Sequence, residues 1–412
     1  MRSQNEQHIL SRVENNFESS VRFLQDLIRT PSLNPPGNYE EISTVIKEKL
    51  IHLGIPSIDL ISVPQPPPAR TNPQVPKYNV LAHWPSLRKK PCIILNAHMD
   101  TVPVDSGWSR DPFAGDIENG IIYGRGAVDC KGDIAAFTYA VAALKESEVP
   151  IDGSVLLAFT ADEETGGSLG AGYLIEQKVL KGDFAIIEGF SYEIWNAFNG
   201  ALLLELTTKG KSVHVSRKEL GLNAIEEMVR CFPVFEAYSK EIEKRASGIE
   251  GISNASIQVG TIHGGFLFSI VPDTCTATLF RNIIPEEPME DVLEEIDSLL
   301  NEIKGLGIQL LSRRLFFAEP VAPAAEQDLL IHSLQRASFA VAGEDLKVCG
   351  LPSWSDARFF QQARIPVVGF GSGPKIRSEG GGHGPNENLR LNDLLKATKT
   401  LALGLFHFFN SQ

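Results

Sequence analysis

Apolar positions follow two rhythms along this chain. Asn16–Ile28 and Glu41–Leu53 carry them at helical spacing, with "NPPGNYEE" (Asn34–Glu41) as the turn between. Val63–Pro76 is proline-rich and reads as a surface loop. Three short apolar runs follow, at Cys92–Asn96, Val155–Thr160 and Phe184–Ile187, and each ends in polar or acidic residues. A helical pattern at Asp133–Leu144 lies among them. Unbroken apolar runs between helices predict a sheet covered on both faces. Open α/β sheets bind ligands at the carboxyl ends of their strands.

The middle of the chain changes character. Ala201–Lys209 alternates as a strand, Asn223–Arg245 is helical, and Ser256–Ile262 and Thr274–Arg281 are strands. Met289–Ile303 is helical and Ile308–Phe316 is a strand. Strand-helix-strand-strand-helix-strand is the ferredoxin-like order. It predicts a smaller inserted domain at residues 200–318. Residues 1–199 and 319–412 would then form one discontinuous α/β domain, resumed by a helix at Gln327–Ala342, a strand at Pro366–Phe370 and a helix at Leu391–Phe408.

A length of 412 residues fits two domains, and a 43% hydrophobic content supports a large core. The charge narrows the partners. With 38 Lys and Arg against 51 Asp and Glu, the formal net charge of −13 argues against nucleic acid and against anionic lipid. Met1–Asn16 lacks the apolar core of a secretory signal, and no apolar run approaches the ~20 residues of a membrane span. Cys92, Cys130, Cys231, Cys275 and Cys349 include no CxxC pair, which suggests reduced thiols and a cytoplasmic protein.

The chemistry gathers where apolar runs end. "LNAHMDTVP" puts His98 and Asp100 on one side of an extended chain, a histidine suited to a metal and a carboxylate suited to orienting it. "YGRGAVDCKGD" crowds glycines around Asp129, a carboxylate able to bridge two cations. "FTADEETGG" ends a buried strand in Glu163 and Glu164, which point to opposite sides and can do different work. "FAIIEG" ends another in Glu188, and "GGGHGPNENL" carries His383. Each group alone has an ordinary explanation, such as a turn histidine or a solvated glutamate. Together they supply two histidines and several carboxylates, a donor set suited to zinc, cobalt or manganese.

These residues, in this order, resemble the M20 metallopeptidase family, the acetylornithine deacetylase and succinyl-diaminopimelate desuccinylase group. "AHMDTVP", "GRGAVDCKGD", "TADEETGG", "KGKSVHVS", "SDARFF" and "GHGPNENL" fit its pattern, and the likeness covers nearly the whole chain. The resemblance implies a zinc-peptidase-like catalytic domain and an inserted domain that mediates dimers. It implies two divalent metal ions. His98 and Glu188 would share one, Glu164 and His383 the other, with Asp129 bridging. Glu163 would be the general base and Asp100 the residue behind His98. His214 would reach a neighbouring subunit's site. Arg281 and Asn254 would serve the substrate carboxylate and its surroundings, and Gly371 would lie in a substrate-side loop.

The chain also departs from that pattern. Gly189-Phe190 follow Glu188 where Pro-Thr is usual, Cys130 stands where a bulkier residue such as Met is expected, and Asp133 stands where a second glycine is usual. The implied function is a hydrolase that removes the acyl group from small N-acylated amino acids. The alternatives are a carboxypeptidase or dipeptidase with the same machinery, and a non-catalytic metal-dependent binding protein. Glu163 counts against the last, because binding alone needs no base.

Overall fold

A computed structural model describes residues 3–64, 77–85 and 90–410. Most of the proline-rich stretch read as a loop lies outside them. Strands run at β1 (Ile58–Val63), β2 (Lys77–Trp84), β3 (Cys92–His98), β4 (Asp116–Glu118), β5 (Ile121–Tyr123), β6 (Ser154–Thr160), β7 (Phe184–Ile187) and β8 (Ile194–Phe198). They continue at β9 (Gly200–Lys209), β10 (Ser256–Gly264), β11 (Thr274–Ile283), β12 (Leu310–Ala318), β13 (Val348–Leu351), β14 (Val367–Gly369) and β15 (Asn388–Arg390). Helices are α1 (Gln4–Ile28), α2 (Glu40–His52), α3 (Gly132–Ser147), α4 (Ala171–Glu176) and α5 (Ala224–Ile242). The rest are α6 (Met289–Gly305), α7 (Asp328–Ala342), α8 (Ala357–Gln362) and α9 (Leu391–Phe409). Among the described residues no helix is long and apolar enough to cross a membrane.

The chain divides into two compact units. The larger runs through Asn196 and takes in Pro323–Val348 and the residues from Ser355 onward. The smaller is Ala197–Ala322 with Cys349–Trp354.

The large mixed sheet has the order β1-β2-β6-β3-β7-β14-β8-β13. Its centre is parallel, β6 beside β3, β3 beside β7 and β7 beside β14. All seven residues of β3 and of β6 are buried, so both faces of the sheet are covered there. In this unit α1, α3, α7 and α9 pack on one another, and Leu24, Ile28, Phe137, Val141, Leu401 and Leu405 are fully buried. Burial of such a side chain contributes ~1.5–3 kcal/mol.

Helix α1 begins a dozen residues before the predicted Asn16. Ser3 and Glu6 form a reciprocal cap, with Glu6 N–H donating to Ser3 Oγ at 3.2 Å and Ser3 N–H to Glu6 Oε2 at 2.6 Å. Ile9, Leu10 and Val13 are buried while Gln7, His8 and Ser11 face outward. The polar look of this segment belongs to the exposed face of a helix.

The smaller unit is ferredoxin-like. Its elements follow β9-α5-β10-β11-α6-β12 and its antiparallel sheet has the order β10-β11-β9-β12. Burial alternates residue by residue along β11, so one face packs on the helices and the other does not. Leu204, Leu206, Met228, Leu279, Ile296 and Leu300 share that core.

Candidate metal centre

Strand ends and two loops put four of the five expected ligands, His98, Asp129, Glu164 and His383, within reach of Asp129 or of one another. His98 is the last residue of β3, in register with Thr160 at the end of β6, and Glu188 follows β7. Asp129 sits in a tight turn at Ala127–Lys131 that leads into α3, entered through Gly126 at φ 84°. Only glycine adopts that φ without cost. His383 lies between a short turn at Arg377–Gly380 and β15, with its own φ at 65°.

Asp129 is the centre of the cluster. Its Oδ1 lies 3.1 Å from His98 Nε2 and its Oδ2 lies 3.3 Å from His383 Nε2. His383 Nε2 is also 3.1 Å from Glu164 Oε2. Burial opposes ionisation of Asp129, but the hydrogen bonds from His383 and His98 outweigh it and hold the carboxyl below the ordinary carboxylate range. The same contacts with Asp129 and Glu164 push His383 up to about 11. The cluster therefore holds more negative charge than its imidazoles neutralise in their usual state.

Three observations fit this donor set to cations. His98 Nδ1–H donates to the main-chain carbonyl of Asp100 at 2.9 Å, so a neutral ring has a lone pair on Nε2. That lone pair faces an Asp129 oxygen, an arrangement satisfied by a proton or a metal. Second, two sets of donor atoms converge among the described residues, His98-Asp129-Cys130 and Asp129-Glu164-His383, and Asp129 belongs to both. Third, Glu164 Oε1 and Glu188 Oε2 are buried without a hydrogen-bond partner. Buried carboxylate oxygens with no donor are costly. Glu188 stands outside both converging sets, and burial pushes its carboxyl up to about 8.

Asp100 orients this site differently from the expectation. Its carboxylate is 3.7 Å from His98 Nδ1, and its carbonyl makes the closer contact. The carboxylate accepts from the N–H of Glu163 at 3.2 Å, the N–H of Glu164 at 3.1 Å and Asn34 Nδ2 at 2.9 Å. It therefore fixes the main chain of the Glu163–Thr165 turn. Burial, with Asp356, Glu164 and Glu188 adding to it and His98 opposing, pushes the Glu163 carboxyl well above its ordinary range. Such a carboxylate is a stronger proton acceptor.

Cys130 is fully buried and its Sγ–H donates to His98 O at 3.3 Å. Burial pushes its thiol up, so it stays protonated and acts as packing. The peptide between Asp129 and Cys130 is cis.

The smaller unit holds three of the other named residues, His214, Arg281 and Asn254. His214 is exposed, and its Nδ1 accepts from Ser216 N–H at 3.2 Å, which leaves the neutral ring's proton on Nε2. Arg281 does not offer a free fork. It is buried, paired with Glu287, bonded to the carbonyl of Asn282, and 3.3 Å from Tyr238 Oη. Asn254 is exposed and donates to Glu243 O at 2.8 Å. Gly371 lies in the larger unit, just after β14.

Sequence reasoning passed over Glu387 and Asn34. Glu387 is fully buried and accepts from Arg125 Nη1 at 2.8 Å and from the N–H groups of Gly126, Val128 and Asp129 at 3.0–3.1 Å. Asn34 donates to Asp100 and, at 2.9 Å, to Thr165 Oγ1. The signal for Glu387 was its place four residues after His383 in the same quoted motif. Nothing in the sequence around Asn34 marks it.

Comparison with known proteins adds to this geometry. The profile of Peptidase family M20/M25/M40 matches residues 94–406. The N-formyl-4-amino-5-aminomethyl-2-methylpyrimidine deformylase of Halalkalibacterium halodurans is 22% identical, over 98% of this chain and 97% of its own. The succinyl-diaminopimelate desuccinylase of Gluconacetobacter diazotrophicus is 28% identical, over 93% and 95% respectively. Among solved structures, the di-peptidase Dug1p of Saccharomyces cerevisiae superposes with a TM-score of 0.79 at 15% identity, covering 98% of both chains.

Proposed function

The chain belongs to peptidase family M20/M25/M40 and is a hydrolase of amide bonds, and we propose from that premise that it removes the acyl group from a small N-acylated amino acid. The observation that carries this reading is Asp129, held between two imidazoles beside Glu164 with buried, partnerless carboxylate oxygens around it. Relatives that match nearly end to end are a deformylase and a desuccinylase, both acyl-removing enzymes by name, which supports an acyl-amine substrate.

His98, Asp129 and Glu188 would hold one divalent cation, and Asp129, Glu164 and His383 the other. Mixed imidazole and carboxylate donors favour zinc, with cobalt or manganese as alternatives. When bound, such ions polarise the scissile carbonyl and acidify the attacking water. The chain's own groups do the rest. Glu163, raised in basicity by burial, takes the proton from water and returns it to the leaving nitrogen. Asp100 holds the Glu163–Glu164 main chain in place while its carbonyl fixes the His98 tautomer. His214, with its proton on Nε2, is a donor for the developing oxyanion of a neighbouring subunit's substrate in a homodimer built through the smaller unit. Gly371 would lie on the substrate side. Five buried cysteines scattered along the chain fit a cytoplasmic enzyme.

The test is hydrolysis of N-formyl, N-acetyl and N-succinyl amino acids and of dipeptides, with and without chelator. Chelator-sensitive release of an amine from one acyl class supports deacylation. Turnover of dipeptides alone favours the peptidase alternative. A protein that binds two metal ions and turns over nothing is a binding protein.

A further inference from the structure

Asp133 is a buried carboxylate in the first turn of α3, and its hydrogen bonds come from two loops far away in sequence. Oδ2 accepts from the N–H of Gly189 at 2.8 Å. Oδ1 accepts from the hydroxyl of Ser372 at 2.7 Å and from the Ser372 N–H. Gly189 is the residue after Glu188. Ser372 is the residue after Gly371.

The two loops leave adjacent parallel strands. Ile187 of β7 is in register with Gly369 of β14, so the loops start side by side at the carboxyl edge of the sheet. They run in main-chain contact. A Cβ on Gly371 would lie 2.2 Å from Asp133 Oδ2 and 2.3 Å from Gly189 O, and a Cβ on Gly189 would lie 2.9 Å from Gly371 N. Neither position has room for a side chain while Asp133 keeps its place.

Glu188 is fixed on both sides by this arrangement. Its own N–H donates to Asn96 O at 2.9 Å, continuing the sheet, and the next N–H along the chain goes to Asp133. The main chain that carries this buried carboxylate, whose Oε2 has no hydrogen-bond partner, has no freedom to turn.

We propose that Asp133 is a positioning residue that locks the Glu188 loop to the 371–373 loop, so that a metal ligand and the substrate-side loop are placed by one carboxylate. The proposal rests on the reading in which Glu188 holds a cation and Gly371 faces substrate. A residue that only filled space here would change stability alone. A lock of this kind makes metal affinity at one site and KM move together.

The experiment titrates Zn2+ into apoprotein by calorimetry and measures KM and kcat on the best acyl-amino-acid substrate, for wild type, Asp133→Asn and Ser372→Ala. In Asp133→Asn the amide NH2 meets an N–H donor. One of the two Zn2+ sites should weaken about tenfold, the other should hold its affinity, and KM should rise. Ser372→Ala keeps the Gly189 bond, so Zn2+ affinity should stay and KM alone should rise. A folded Asp133→Asn with both affinities and KM as in wild type overturns the proposal. If Asp133→Asn does not fold, an unchanged KM in Ser372→Ala overturns it. Wild-type protein that takes up no Zn2+ sinks the underlying metal reading and this proposal together, an outcome distinct from the others.

Discussion

Glu387 Oε1 accepts the main-chain N–H of Asp129 at 3.1 Å, from 258 residues further along the chain. The same carboxylate takes the N–H groups of Gly126 and Val128 and pairs with the fully buried Arg125. The turn that aims Asp129 is thus built on a side chain from the segment that carries His383. Glu387→Ala should cost about 3–5 kcal/mol, because it leaves the Arg125 charge buried with its close partner gone. Glu387→Gln should fold and lose roughly 10–100-fold in metal affinity or activity. Chemical denaturation and Zn2+ titration check both. Wild-type affinity in Glu387→Gln would separate the turn from the metal site.

Glu163 makes its case through turnover. Glu163→Gln should keep both metal ions and lose about 10²–10⁴ in kcat, the usual worth of a positioned proton acceptor. Metal content by atomic absorption and kcat by steady-state kinetics give the two readings. A variant that turns over normally removes Glu163 from the base role.

The role of His214 can be tested by mixing. His214→Ala alone should leave metal content and melting temperature unchanged and lower kcat. Glu163→Gln alone should be nearly inactive. Co-refolding the two should regain activity, because a mixed dimer contains one site with both intact residues. Absence of any gain in a demonstrated heterodimer would show that His214 does not act across subunits.

Acid should loosen the first helix before the rest. His407 Nε2 lies 2.7 Å from Glu6 Oε1 in the larger unit, tying α1 to α9. Burial opposes the charge of Glu6, but the His407 and Ser3 hydrogen bonds prevail and hold its carboxyl below the usual range. The folded value is lower than the unfolded one. The stabilisation is therefore present above the ordinary glutamate range and disappears as pH falls through the lowered value. Glu6→Gln should lose about 1.5–3 kcal/mol at pH 7 and show a flatter acid limb of stability against pH. An unchanged acid limb would assign that limb to other carboxylates.

Much of this was written in local pattern. β7 spans the predicted Phe184–Ile187, and α9 ends one residue past the predicted Phe408, because unbroken apolar runs and helical stripes signal burial directly. β4, β5 and β15 went unseen because each is three residues long; β4 and β5 form a hairpin across Asn119 and Gly120, and β15 pairs with β5 from far along the chain. Of the proposed ligands, His98, Glu164 and Glu188 stood out as polar residues at or just after the ends of apolar strands. Their supports did not, since Glu387 and Asn34 act through contacts that only folding creates. Arg281 shows the reverse error, where a strand arginine that looked available is a buried partner of Glu287. Two departures noted separately in the sequence, Asp133 and Gly189, turn out to be one hydrogen bond. A proline at 189 has no N–H to give it.

The bond between Glu387 and Asp129 also sets an order of events during synthesis. The ribosome releases His98, Asp129, Glu164 and Glu188 while residues 383 and 387 are still untranslated. Until the last of these emerges, the turn around Asp129 lacks its template. A nascent chain therefore carries His98, Asp129, Glu164 and Glu188 without the support of Glu387, and the geometry of the cluster becomes a property of the released polypeptide.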